Sequence, residues 1–116
     1  MFSLTSSHRY LLYRGDCDMR RGAYSLSGLV RNELGRDPLS GDVFVFLNRR
    51  RTCIKLLRWE AGGFVLYSKH LEKGTYTRPI SIHTDGVLSW PELVLMIEGI
   101  VIKKSVQKPR FHLFSS

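Results

Sequence analysis

Val43-Phe44-Val45-Phe46-Leu47, Asn48-Arg49-Arg50-Arg51, Thr52-Cys53-Ile54-Lys55-Leu56-Leu57-Arg58-Trp59, Glu60-Ala61-Gly62-Gly63 and Phe64-Val65-Leu66-Tyr67-Ser68-Lys69-His70-Leu71 run on without a break, and they decide the fold. The first block is apolar at odd and even positions alike, which marks a central strand covered on both faces. A polar turn follows, then two more β-prone runs joined by a glycine pair. Three strands with short connections predict an antiparallel meander over 43–71.

Upstream, Tyr10 to Tyr13 reads as a short strand closed by Gly15-Asp16. The period then changes. Met19, Ala23, Leu26, Val30 and Leu34 recur at steps of three and four, so a helix over Met19 to Leu34 carries one apolar face. Asp18 is its expected N-cap and Gly35 its expected end. Gly22 and Gly28 each weaken such a helix by roughly 1 kcal/mol relative to Ala, which suggests a tight contact that requires them.

Downstream, Ile80 to His83 and Val87 to Ser89 flank Asp85-Gly86, a dipeptide suited to a tight hairpin. Ser89-Trp90-Pro91-Glu92 then opens a second, short helix, with Ser89 and Glu92 as a capping box and Pro91 tolerated in the first turn. Leu93, Met96, Ile97 and Ile100 form its apolar face, and Gly99 interrupts it near its end. The expected architecture is a single α+β domain over 1–104, with a basic, mobile tail over 105–116.

Composition bounds the function. The chain has 116 residues, 43% hydrophobic and 24% charged, which suits one folded domain and not a disordered segment. Lys and Arg number 18 against 10 Asp and Glu, a formal charge of +8. That field favours polyanions as partners, and it equally suits a merely soluble basic protein. No charged segment followed by an apolar stretch opens the chain, and no run approaches the ~20 apolar residues that span a bilayer, so the expected location is the cytoplasm. Cys17 and Cys53, the only cysteines, are then reduced.

The densest positive feature is Asn48-Arg49-Arg50-Arg51. Three guanidiniums on a short turn could not all turn inward and are expected to face solvent or a partner, and guanidinium forks match phosphate oxygens. Arg20 and Arg21 lie at a helix start, where backbone N–H groups also attract anions; Asp18 pairing with one of them is the structural alternative. Lys55 and Trp59 share strand parity, as do Tyr67 and Lys69, and exposed faces of that kind serve nucleic-acid-binding sheets. Aromatic residues at strand spacing equally serve a core. Arg20, Arg21, Arg49, Arg50, Arg51 and Lys55 are therefore the candidate nucleic-acid contacts.

Catalysis finds no support. Asp16, Asp18, Asp37, Asp42, Glu60, Glu72 and Asp85 sit mostly at turns and caps, without a set arranged for Mg²⁺. His8, His70, His83 and His112 are scattered, no serine stands in a nucleophile elbow, and neither cysteine belongs to a zinc motif. No metal, cofactor or small-molecule substrate is expected.

Asp18-Met19-Arg20-Arg21-Gly22, Asp37-Pro38-Leu39-Ser40-Gly41, Val43-Phe44-Val45-Phe46, Asn48-Arg49-Arg50, Ile54-Lys55-Leu56-Leu57 and Trp59 appear in that order, followed by Lys69-His70-Leu71-Glu72-Lys73-Gly74-Thr75-Tyr76, Pro79 and Glu98-Gly99. On these segments the chain resembles the small TnpB-type accessory protein of the sixty-six family of bacterial insertion sequences, which is unrelated to the RNA-guided nuclease sharing that name. His70 stands where an arginine is usual, and Glu60 where an aspartate is common. The resemblance implies a protein encoded beside a separate, larger transposase and involved in transposition, with no catalytic residues of its own to carry over; element-end DNA and that transposase are the expected partners. DNA binding through the basic surface is one expectation, and docking on the transposase as an adaptor is the other.

Overall fold

The computed structural model describes residues 4–78 and 85–99. Strand β2 (Val43–Leu47) is buried along its whole length, as its doubly apolar pattern requires. It occupies the middle of a five-stranded sheet ordered β4-β3-β2-β1-β5, with β1 at Tyr10–Leu12, β3 at Cys53–Glu60, β4 at Gly63–His70 and β5 at Val87–Leu88. Strands β2, β3 and β4 form the expected antiparallel meander. Ala61 and Gly62, at φ 51° and 82°, make the two-residue turn between β3 and β4, a conformation whose twist suits a hairpin.

Strand β1 lies parallel to β2, with helix α1 (Ala23–Asn32) on the connection between them. β5 then pairs antiparallel with β1, so the sheet is mixed. The pleat sends alternate residues to two cores. Phe44, Phe46, Leu11 and Leu57 pack with Leu26, Leu29 and Val30 of α1. Val43, Val45 and Leu47 pack on the opposite face with Tyr10, Leu12, Ile54, Leu56 and Tyr76, and with Leu93 and Met96 of helix α2 (Trp90–Glu98). The protein is α+β, with one helix on each face of the sheet.

The start of α1 differs from the expectation. The N-cap is Gly22, without a side-chain cap, and Asp18 turns instead to the backbone N–H and guanidinium of Arg20. A helix beginning at Met19 needs the carbonyls of Met19 and Arg21 for its own N–H groups, but both accept from the Lys55 ammonium, at 2.7 and 2.9 Å. No tight contact demands the two glycines either, because a Cβ at Gly22 or Gly28 meets nothing within 4 Å. Gly35, at φ 63°, follows the helix as expected.

The capping box of α2 is present. Ser89 Oγ accepts from the Glu92 N–H, the Glu92 carboxylate accepts from the Ser89 N–H, and Pro91 lies in the first turn. The Ile80 to His83 arm of the proposed hairpin, Ile100 and the 105–116 tail lie outside the described residues.

Candidate nucleic-acid interface

The turn between β2 and β3 is fastened by one side chain. Asn48 Oδ1 accepts from the N–H groups of Thr52 and Cys53, at 2.9 and 3.0 Å, while its amide donates to Thr52 Oγ1. The Arg51 N–H closes back on the Asn48 carbonyl at 3.0 Å. Arg49 and Arg50 sit at the exposed tip.

Arg51 departs from the expectation that the three guanidiniums face outward together. It is half-buried in the left-handed region at φ 58°, and its Nε is buried without a hydrogen-bond partner among the described residues. Its carbonyl accepts from the Tyr76 N–H at 2.7 Å, so the backbone here belongs to the packing of the 71–77 segment.

That segment brings further cations alongside. The Leu71 N–H donates to the Thr52 carbonyl at 2.7 Å, extending the pairing of β3 with β4 up to the turn. Cys53 lies opposite His70 and Ile54 opposite Lys69, so the exposed Lys69 and His70 flank the arginine turn, and exposed Lys73 follows them. From the other side, the Cys17 N–H donates to the Leu47 carbonyl at 2.9 Å and draws the Asp16 to Arg21 segment to the same end of the sheet.

Arg20 and Arg21 reach this end already engaged. Arg20, whose side chain is 90% exposed, pairs with Asp18 at 2.6 Å. Its guanidinium, and next its backbone N–H, hold the Asp18 carboxyl well below the usual carboxylate range. Arg21 donates to Ser25 Oγ at 2.7 Å. Lys55 points into the α1 side, toward the two carbonyls it bonds, so the structure gives it an internal role and does not place it with the exposed phosphate-contact candidates.

Aromatic groups divide between the two faces. Trp59 meets Phe64 edge-on at 5.0 Å and Phe64 meets Tyr24 at 5.8 Å, so the rings on the Lys55–Trp59 face pack against one another, with Trp59 and Phe64 half-buried and Tyr24 84% exposed. Tyr67 is 38% exposed and shares the opposite face with exposed Lys69. Burial pushes the Cys17 thiol up, as expected for a sulfur in the α1 core, and both cysteines are free. Among the described residues no three His, Cys, Asp or Glu side chains gather as a metal site, and no helix is long and apolar enough to cross a membrane.

Sequence reasoning missed the role of Asn48, although an Asn at a strand-to-strand turn is a recognisable fastening residue. It also left Lys69, His70 and Lys73 outside the site, because only the register of β3 with β4 shows that they end beside the arginines.

The fold and this end describe a small α+β protein with exposed basic residues gathered at one end of its sheet. The chain matches the IS66 Orf2 like protein family over residues 8–107 and belongs to that family of insertion-sequence accessory proteins. It is similar to two uncharacterized proteins of Sinorhizobium fredii. One, y4jC, is 36% identical over 98 residues, covering 79% of this chain and 82% of the relative. The other, y4hO, is 30% identical over 92 residues, covering 79% and 80%. No solved structure matches the chain.

Proposed function

We propose that this accessory protein binds DNA without cutting or joining it, through the end of the sheet where Arg49, Arg50, Lys69, His70 and Lys73 converge. The observation that carries the reading is that convergence: segments distant in sequence deliver exposed cations to one place, held by backbone bonds that need none of those charges. Arg49 and Arg50 act as guanidinium forks on phosphate oxygens, and the lysines as point charges. The protein then supplies phosphate contacts beside the separately encoded transposase, which carries the chemistry.

The deciding experiment measures binding of the full chain to an element-end duplex and to an unrelated duplex of equal length across a salt series. Wild-type protein binds both with a steep log-affinity against log-salt slope, and Arg49→Ser/Arg50→Ser flattens it while leaving the thermal melt unchanged. Weakening that is equal on the two duplexes assigns the contacts to phosphate, whereas weakening confined to the element end assigns them to base edges. A double variant that binds both duplexes as the wild type does, slope included, removes the turn from the function.

A further inference from the structure

We propose that the outer edge of β4 is a docking site for an extended, acidic segment of a protein partner, which adds a strand to the sheet. Among the described residues strand β4 is terminal in the sheet order, and its eight residues span ~26 Å. The other edge is the two-residue β5.

The phase of the ladder determines what the edge offers. Leu71 donates to Thr52, and residues alternate along an antiparallel pair, so Lys69, Tyr67 and Val65 turn their backbone groups toward β3. Phe64, Leu66, Ser68 and His70 therefore present both N–H and C=O outward. No hydrogen bond joins these outward groups to another described residue. Proteins ordinarily blunt such an edge with a proline, a bulge, extreme shortness or a covering element. The β4 register runs unbroken from Gly63 to His70, contains no proline, and ends in four exposed residues.

Charge selects the occupant. Gly63 to His70 contains no Asp or Glu, and its one formally charged residue, Lys69, lies beside His70 at the end that continues to Lys73. A second copy of the chain brings the same cationic strand and a formal charge of +8, so self-pairing is opposed. An acidic strand complements both the backbone row and the charge. Nucleic acid complements only the charge, because alternating amide donors and acceptors match a peptide. The site shares Lys69 and His70 with the proposed DNA surface but rests on the β4 backbone.

The probe is a capped octapeptide alternating glutamate and valine, titrated against the full chain. Ser68→Pro removes an outward N–H without touching the ladder to β3, a substitution that edge strands tolerate. It is expected to weaken peptide binding at least ~10-fold, while Ser68→Ala leaves it unchanged. The same peptide with lysine for glutamate should not bind. If Ser68→Pro fails to fold, the acidic peptide N-methylated at alternate amides asks the same question of the wild-type chain and should lose binding equally. Arg49→Ser/Arg50→Ser should retain the peptide while losing DNA, which separates this site from the DNA reading. Absence of acidic-peptide binding, or binding indifferent to Ser68→Pro or to N-methylation, overturns the proposal. Concentration-dependent self-association abolished by Ser68→Pro gives the edge to a second copy, and duplex affinity lowered by Ser68→Pro gives it to nucleic acid; either result also overturns it.

Discussion

The Lys55 ammonium donates to the carbonyl of Met19 at 2.7 Å, across 36 positions of sequence, and takes the Arg21 carbonyl as a second acceptor. It thereby joins β3 to the segment that leads into α1. Lys55→Met keeps the aliphatic stem but removes the donors, leaving two partly buried carbonyls without their partner. Hydrogen bonds to charged groups contribute about 1.5–3 kcal/mol, so a loss of about 2–3 kcal/mol is expected in urea unfolding. DNA affinity at matched folded fraction should keep its salt slope. A stable variant with a flattened slope puts Lys55 on the DNA surface instead.

The arginines of the turn should not be equivalent. Arg49 and Arg50 are exposed at the tip, and each phosphate neutralised contributes about 0.9 to the log–log salt slope, so removing both should lower it by up to about 1.8. Arg51 is held at φ 58°, and its buried Nε has no hydrogen-bond partner among the described residues. Arg51→Gly relieves a conformation that costs a non-glycine residue about 1 kcal/mol and should raise the melting temperature without flattening the slope. A slope that falls equally on loss of Arg51 alone contradicts this division.

What was legible beforehand was local. Val43 to Leu47 showed its central position through apolar residues on both faces, Ser89 and Glu92 showed a capping box, and Gly62-Gly63 marked the β3–β4 hairpin. The start of α1 was hidden because Lys55, distant in sequence, claims the carbonyls that a longer helix needs. The parallel pairing of β1 with β2 joins segments separated by a whole helix, and no periodicity encodes it. The same limit applied to the site. The arginine run was visible as a cluster, but Arg51's inward turn depends on the Tyr76 segment, and the gathering of Lys69 and His70 beside it depends on strand register.

Tyr76 is fully buried, and its hydroxyl has no partner among the described residues. Burial pushes its ionisation up to about 12. Tyr76→Phe removes an unsatisfied polar atom from an apolar core and should stabilise the protein by about 1 kcal/mol. The sign with pH follows from the raised folded value. Wild-type stability is fully present below the unfolded value near pH 10 and declines as pH rises toward the folded one, whereas the phenylalanine variant lacks that decline. Denaturant midpoints at pH about 8 and about 10.5 test both parts, and a destabilised variant shows that the hydroxyl is bonded after all.

Gly28 sits within α1, where a Cβ meets nothing within 4 Å. Gly28→Ala should therefore gain about 0.5–1 kcal/mol by restricting the unfolded chain and improving helix propensity. A loss of stability in chemical denaturation shows that the helix surface at this position is already occupied.

Asp18 sets how much positive charge the 16–21 segment offers. Its carboxylate accepts from the Arg20 guanidinium at 2.6 Å and from the Arg20 N–H at 2.9 Å, contacts that depress its ionisation. With the folded value below the unfolded one, its contribution to stability is complete above about pH 4 and is lost only as pH falls through the folded value. The pair is exposed, so at neutral pH the larger effect is on binding. Asp18→Asn keeps an acceptor for the Arg20 N–H, removes a negative charge and releases a guanidinium beside the arginine turn. DNA affinity at low salt should rise, and the salt slope should steepen by up to about 0.9 as Arg20 takes a phosphate of its own. Arg20→Ser in the same background should cancel the gain, because the released guanidinium is its source. A rise that persists in the double variant assigns the effect to the lost repulsion by Asp18, and unchanged affinity in Asp18→Asn places the segment outside the DNA contact.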